Sequence, residues 1–166
     1  MSSLAGLRAA MTEFLKEQGI EALSAWPGDR RPRLAAPLAV VRIKQAEAGP
    51  AGFQNYLGQA YDARAGRWTE RYGQTVTVRF GVDLYSPESR GETGCQQLLE
   101  QVADALQAGG PAGLSVEKWM VGESTFDTGT GLFLGTMQVV CRTLLVAVSD
   151  EYGAFLGFEV KGEIQL

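Results

Sequence analysis

Between Thr75 and Tyr85 apolar and polar positions alternate. Val76, Val78, Phe80, Val82 and Leu84 share one face, and Thr75, Thr77, Arg79, Asp83 and Tyr85 share the other. A period of two fits an antiparallel strand with one buried face, and a one-residue slip would turn every apolar side chain to water. Such a strand cannot fold alone. It needs partners at its edges and a layer over its apolar side, so the rest of the chain has to provide both.

Two segments can form that layer. Over residues 3–18, Leu4, Leu7, Met11, Phe14 and Leu15 recur at spacings of three and four, which predicts a helix. Ser2 or Ser3 is placed to cap it, and Gly19 to end it. Over residues 92–107, Cys95, Leu98, Leu99, Val102, Ala103 and Leu106 make a second stripe, stopped by Gly109-Gly110. Strands are expected at residues 20–26, 38–45, 114–123 and 134–149, with a last strand or extended tail at 155–164 and a bend at 150–153. In the strand at 38–45, Ala39, Val41 and Ile43 take one face and Arg42 and Lys44 the other. Regular βαβ alternation is missing. The order predicts an α+β fold, a mostly antiparallel sheet with two helices packed on one face and a long extended loop or hairpin arm. The 166 residues suit one domain, 1–166, with the arm at 46–74 as an insertion.

That arm, AEAGPAGFQNYLGQAYDARAGRWTERYGQ, is too long for an ordinary connection. It holds Phe53, Tyr56, Tyr61, Trp68 and Tyr72 together with Arg64, Arg67 and Arg71, a composition foreign to disordered linkers. Tyrosine, tryptophan and arginine dominate the hot spots of protein interfaces. Two readings fit: an interaction arm, or a loop folded back as cover for its own core. Arg30 and Arg31, in the proline-flanked loop at 26–33, suit salt bridges or a subunit contact better than phosphate. The chain carries a net charge of −4, and its field opposes nucleic acid.

Chemistry has little to work with. Histidine is absent from the sequence, which removes Ser-His-Asp and Cys-His schemes and histidine metal sites. Cys95 and Cys141 stand in no ligand spacing, and a reduced cytoplasmic setting suits them. The corner Asp83-Leu84-Tyr85-Ser86-Pro87-Glu88-Ser89 gathers carboxylates and hydroxyls but no base, and its residues suit a turn followed by a helix start. The glycines of TFDTGTGLFLG match neither a phosphate loop nor a dinucleotide fingerprint, and Asp127 alone is no calcium loop. No catalytic residue, cofactor or metal is expected. The first nineteen residues read as amphipathic, neither signal peptide nor membrane span, and no run of 18 apolar residues occurs later.

The stretch VTVRFGVDLYSPESRGETGCQQLLEQVADAL and the closing strands ending in FLGFEVKGEIQL, taken in this order of elements, resemble the tail terminator (tail completion) proteins of long-tailed bacteriophages and prophage elements. The resemblance spans most of the chain as a pattern of elements and includes no catalytic motif. It implies a structural, non-enzymatic virion protein, assembled in the host bacterial cytoplasm and resident at the head-proximal end of the tail. Such proteins form hexameric rings on the last ring of the tail tube and stop its growth. They face the head connector and, in sheathed tails, the sheath. DNA passes through their lumen without specific binding. The interface residues expected on this reading are Phe53, Tyr56, Tyr61, Arg64, Arg67, Trp68, Arg71, Arg30 and Arg31. The arm exceeds what the pattern requires, which leaves room for another tail component, a tube protein or a connector adaptor. A different class, a small enzyme using Asp83 with Glu88, or Asp127, would need carboxylates held across a cleft.

Overall fold

The computed structural model describes residues 4–26, 34–150 and 155–161. Arg30 and Arg31, the Ser2 or Ser3 cap and most of the expected bend at 150–153 lie outside them, as does the end of the 155–164 segment. The described residues form two helices and a mixed sheet, antiparallel but for one short parallel pair. In chain order these are α1 (Leu4–Glu17), β1 (Ala22–Leu23), β2 (Leu38–Pro50), β3 (Tyr56–Asp62), β4 (Arg67–Pro87), α2 (Gly91–Ala108), β5 (Ser115–Val121), β6 (Thr125–Asp127), β7 (Leu132–Asp150) and β8 (Phe155–Lys161). This is the expected α+β class.

The spine is the ladder of β4 with β7, paired from Thr69↔Asp150 to Pro87↔Leu132 without a bulge. At 21 residues, β4 is on the order of 70 Å long. The ladder outlasts its neighbours, so each edge passes from one strand to another. Along β4, β2 pairs from Tyr85 to Gln74, and β3 takes over from Tyr72 to Arg67. Along β7, β6 and β5 pair the first part and β8 the last.

Both helices cover one face. Leu7, Met11, Phe14 and Leu15 of α1 share a single core with Cys95, Leu98, Val102 and Leu106 of α2. That core also takes Ala39 and Val41 of β2, Val76, Val78, Phe80, Val82 and Leu84 of β4, and Met137, Val139 and Cys141 of β7. The alternation between Thr75 and Tyr85 thus buries the apolar set against helices, where each fully covered side chain contributes about 1.5–3 kcal/mol. Helix α1 ends where Gly19 takes a φ of 77°, with Gly19 N–H donating to Lys16 O and Ile20 N–H to Leu15 O. Only glycine enters that left-handed turn cheaply. On the opposite face Leu38, Val40, Tyr85 and Leu132 form a smaller cluster under Trp26 and Leu34.

The strand expected at 20–26 shrinks to Ala22–Leu23, because the chain bends at Ser24-Ala25 after two residues of parallel pairing with β2. The strand at 38–45 runs on to Pro50, absorbing a bulge at Lys44. The glycine-rich stretch after Asp127 is a turn between β6 and β7, as expected.

Candidate functional site

The segment at 46–74 is a β-hairpin arm continuous with the sheet. The last residues of β2 and the short 3-10 turn Phe53–Asn55 lead into β3, which pairs with the first residues of β4. Asp62 closes the tip. Its Oδ1 accepts the backbone N–H groups of Arg64 at 2.9 Å and Ala65 at 3.1 Å. The Ala65 and Arg64 amides, then the charges of Arg67 and Arg64, hold the Asp62 carboxyl below its ordinary range.

Register places the arm's aromatics together. Tyr56 lies opposite Tyr72, and Tyr61 opposite Trp68. Each pair meets edge to face at a centroid distance of 5.5 Å, the geometry that aromatic quadrupoles favour. Trp68 and Tyr72 are four residues apart on one strand, so both pairs share a face, the one that continues the helix-covered side of the sheet. Glu70 lies between them and accepts the Tyr72 hydroxyl at 2.8 Å, which pushes that phenol's pKa up. The core shared with the helices begins at Val76, beyond the reach of this stripe. Tyr61 is therefore 56% exposed, Trp68 53% and Phe53 87%. Arg67 and Arg71 alternate to the other face, Arg67 opposite Asp62, and Arg64 sits in the turn. The Arg71 Nε is buried and has no hydrogen-bond partner among the described residues. At the base of the arm Leu57 packs over Gly73 towards Leu144, where a Cβ on residue 73 would lie 2.5 Å from Leu57.

Most of the other candidate groups are occupied. Asp83 receives Arg42 through two bonds, 2.8 Å from Nε and 3.3 Å from Nη2. Tyr85 is buried and packs edge-on against Trp26 at 4.9 Å. Ser86 is fully buried and its hydroxyl donates to Gly91 O at 3.2 Å. Glu88 joins the 3-10 turn Glu88–Arg90 that leads into α2. Asp127 caps its own turn, accepting from Gly129 N–H and the Thr130 hydroxyl. Among the described residues no three His, Cys, Asp or Glu side chains group to hold a metal, and no helix is long and apolar enough to cross a membrane.

Both cysteines are buried free thiols. Burial, aided by Glu117, pushes Cys141 from 9.0 up to about 12, and burial also raises Cys95. Above pH 9 the unfolded chain loses the Cys141 proton while the folded chain keeps it. The stability this thiol contributes is complete below pH 9 and drains away as pH rises towards about 12, with a slope of at most about 1.4 kcal/mol per pH unit. Urea unfolding at stepped alkaline pH should show that fall, and Cys141→Ala should flatten it. Equal slopes in the two chains would mean the thiol does not cause the loss.

Tyr72 completes the aromatic stripe and was absent from the interface set expected from sequence. Its spacing of four from Trp68 was the available signal, legible only once both residues belong to one strand. No family model matches the chain, and no curated protein matches it.

Proposed function

We propose that the chain is a structural subunit of a phage or prophage tail that assembles into a closed ring, caps the tail tube, ends its polymerisation and presents a surface to the head connector. The observation that carries this reading is the arm, a ribbon of sheet that runs past the core with four aromatics on one face, all open to solvent in the single chain. A protein has no reason of its own stability to leave such a face uncovered. Large aromatics with few rotatable bonds are what association surfaces use. Closed rings are built from head-to-tail contacts between unlike surfaces, and a projecting arm supplies one of the two. The pairing of Asp83 with Arg42 and of Ser86 with Gly91 O supports a non-enzymatic role for the corner at 83–89. Partners on this reading are further copies of the chain, the tube protein and the connector protein.

Native mass spectrometry with negative-stain electron microscopy tests it. The purified chain should give a hexameric ring, or remain monomeric and form one ring when tail tubes are added. Long tubes would assign it instead as a tube protein. A monomer with no affinity for tubes ends the proposal.

A further inference from the structure

We infer that the sheet face opposite the helices, beyond the Trp26 and Leu34 cluster, is the docking surface for the outer face of α2 of a second copy. This deepens the ring reading and rests on it, because a head-to-tail ring needs two unlike, complementary surfaces on each chain.

The acidic total of the chain hides a separation of charge. On the sheet face turned away from the helices, register places Arg42 and the bulged Lys44 on β2, Arg79 on β4, Arg142 on β7 and Lys118 on β5. These five cations fall in three successive transverse rows, those of Gly81, Arg79 and Thr77. The stems of Arg42 and Lys44 lie across Gly81, where a Cβ would come within 3.2 Å of both. The same rows hold the carboxylates Glu47 and Glu117, with Asp83 one row away. Asp83 holds Arg42 and Glu117 holds Arg142. Lys44, Lys118 and half-buried Arg79 have no ion pair among the described residues. The face is therefore net basic on an acidic protein.

Helix α2 is the counterpart. Its outward side carries Glu92, Gln96, Glu100 and Asp104 at intervals of four, flanked by Gln97 and Gln101, and the helix contains no lysine or arginine. Glu100 and Asp104 repel each other at i,i+4, and Asp104 stands in the last turns, where the helix dipole disfavours an anion. None of the ion pairs among the described residues reaches these carboxylates. Within one chain the arrangement is mildly unfavourable. Against a cationic face of another copy it becomes complementary.

The shapes agree. Four strands from β2 to β5 span about 14 Å, and a helix with its side chains is about 10–12 Å wide. Thr77, Gly81 and Gln138 keep the strip between the cations low. A second copy fits better than a polyanion. Two of the five cations are already held by carboxylates, and Glu47 lies in the row next to Arg79 on the strand that carries Lys44, whereas phosphate binding draws on several uncompensated cations. Charge pairing of this kind sets register, speeds encounter and makes assembly salt-sensitive.

Charge reversal in the full chain tests the contact. Lys44→Glu with Lys118→Glu inverts the sheet face, and Glu100→Lys with Asp104→Lys inverts the helix. Sedimentation or native mass spectrometry reads assembly at low and high salt, and circular dichroism confirms the fold. Each reversal alone should weaken assembly by about tenfold or more, as like charges are forced together. The chain with both reversals should recover, and so should a mixture of the two singly reversed chains. Single reversals that assemble like the parent overturn the contact, and so does a doubly reversed chain that fails to recover. If the sheet reversal alone is damaging and the helix reversal silent, the face meets another partner, a polyanion included, and the inference falls while the ring stands. If every form stays monomeric even on tail tubes, the ring reading itself fails and takes this contact with it.

Discussion

Alanine at Phe80 should lower the unfolding free energy by about 3–5 kcal/mol. Phe80 is fully buried at the centre of β4, with Val41 of β2 and Val139 of β7 in the same core. Deleting the ring removes its transfer free energy and leaves a hollow under two helices that are tied to the sheet elsewhere and cannot collapse onto it. Globular proteins are stable by only about 5–15 kcal/mol, so the variant should melt roughly 6–20 °C lower. Thr77→Ala, three residues away on the opposite face, should cost no more than about 1 kcal/mol, the span of strand propensity. Urea titration of both variants checks this. Similar losses at the two positions would contradict the division of the sheet into a helix-covered face and an open one.

Replacing Tyr56, Tyr61 and Trp68 together by alanine should produce the opposite profile, with little loss of fold and a large loss of assembly. Inside one chain the three side chains contribute two edge-to-face contacts on a solvent-exposed ribbon, each worth about 0.5–1.5 kcal/mol. At an interface, hot-spot aromatics cost about 2 kcal/mol or more each when truncated, so ring or tube association should weaken by roughly a thousandfold or more. Thermal melting and analytical ultracentrifugation on the same sample separate the two effects. Unchanged assembly would leave the arm with no part in association. A collapse of the melting transition would make its aromatics structural.

The two substitutions differ because burial, not residue type, sets the outcome. Phe80 and Trp68 are both large aromatics on β4, and both face the helix-covered side. The helices cover β4 only from Val76 onward, so one ring is core and the other is surface. Alternation reveals the face but says nothing about where the layer above it stops.

Local pattern determined much of this protein. The period of two from Thr75 to Tyr85 set which side chains go inside, the three-and-four spacing of α1 and α2 set their inner stripes, and Gly19 marked a helix end. Each signal joins residues a few positions apart, so sterics and solvation select it before the chain has a tertiary structure. The α+β class follows from the order of those elements. The arm was visible as composition, with a hairpin as one of its two expected forms, but its register was not. Whether Tyr56 meets Tyr72 depends on strand pairing, and pairing depends on β7 running as far as Asp150 to hold the ribbon's other edge.

Tertiary structure alone decided which distant groups meet. Arg42 and Asp83 are 41 positions apart, yet they form a two-bond pair that occupies the corner's main carboxylate. Trp26 reaches Tyr85, and the Ser86 hydroxyl turns to Gly91 O rather than to a cleft. The gathering of five cations on one face of an acidic chain comes from four strands brought side by side. No segment of the sequence contains that patch, because a strand encodes the face of each residue and leaves its neighbours to long-range register.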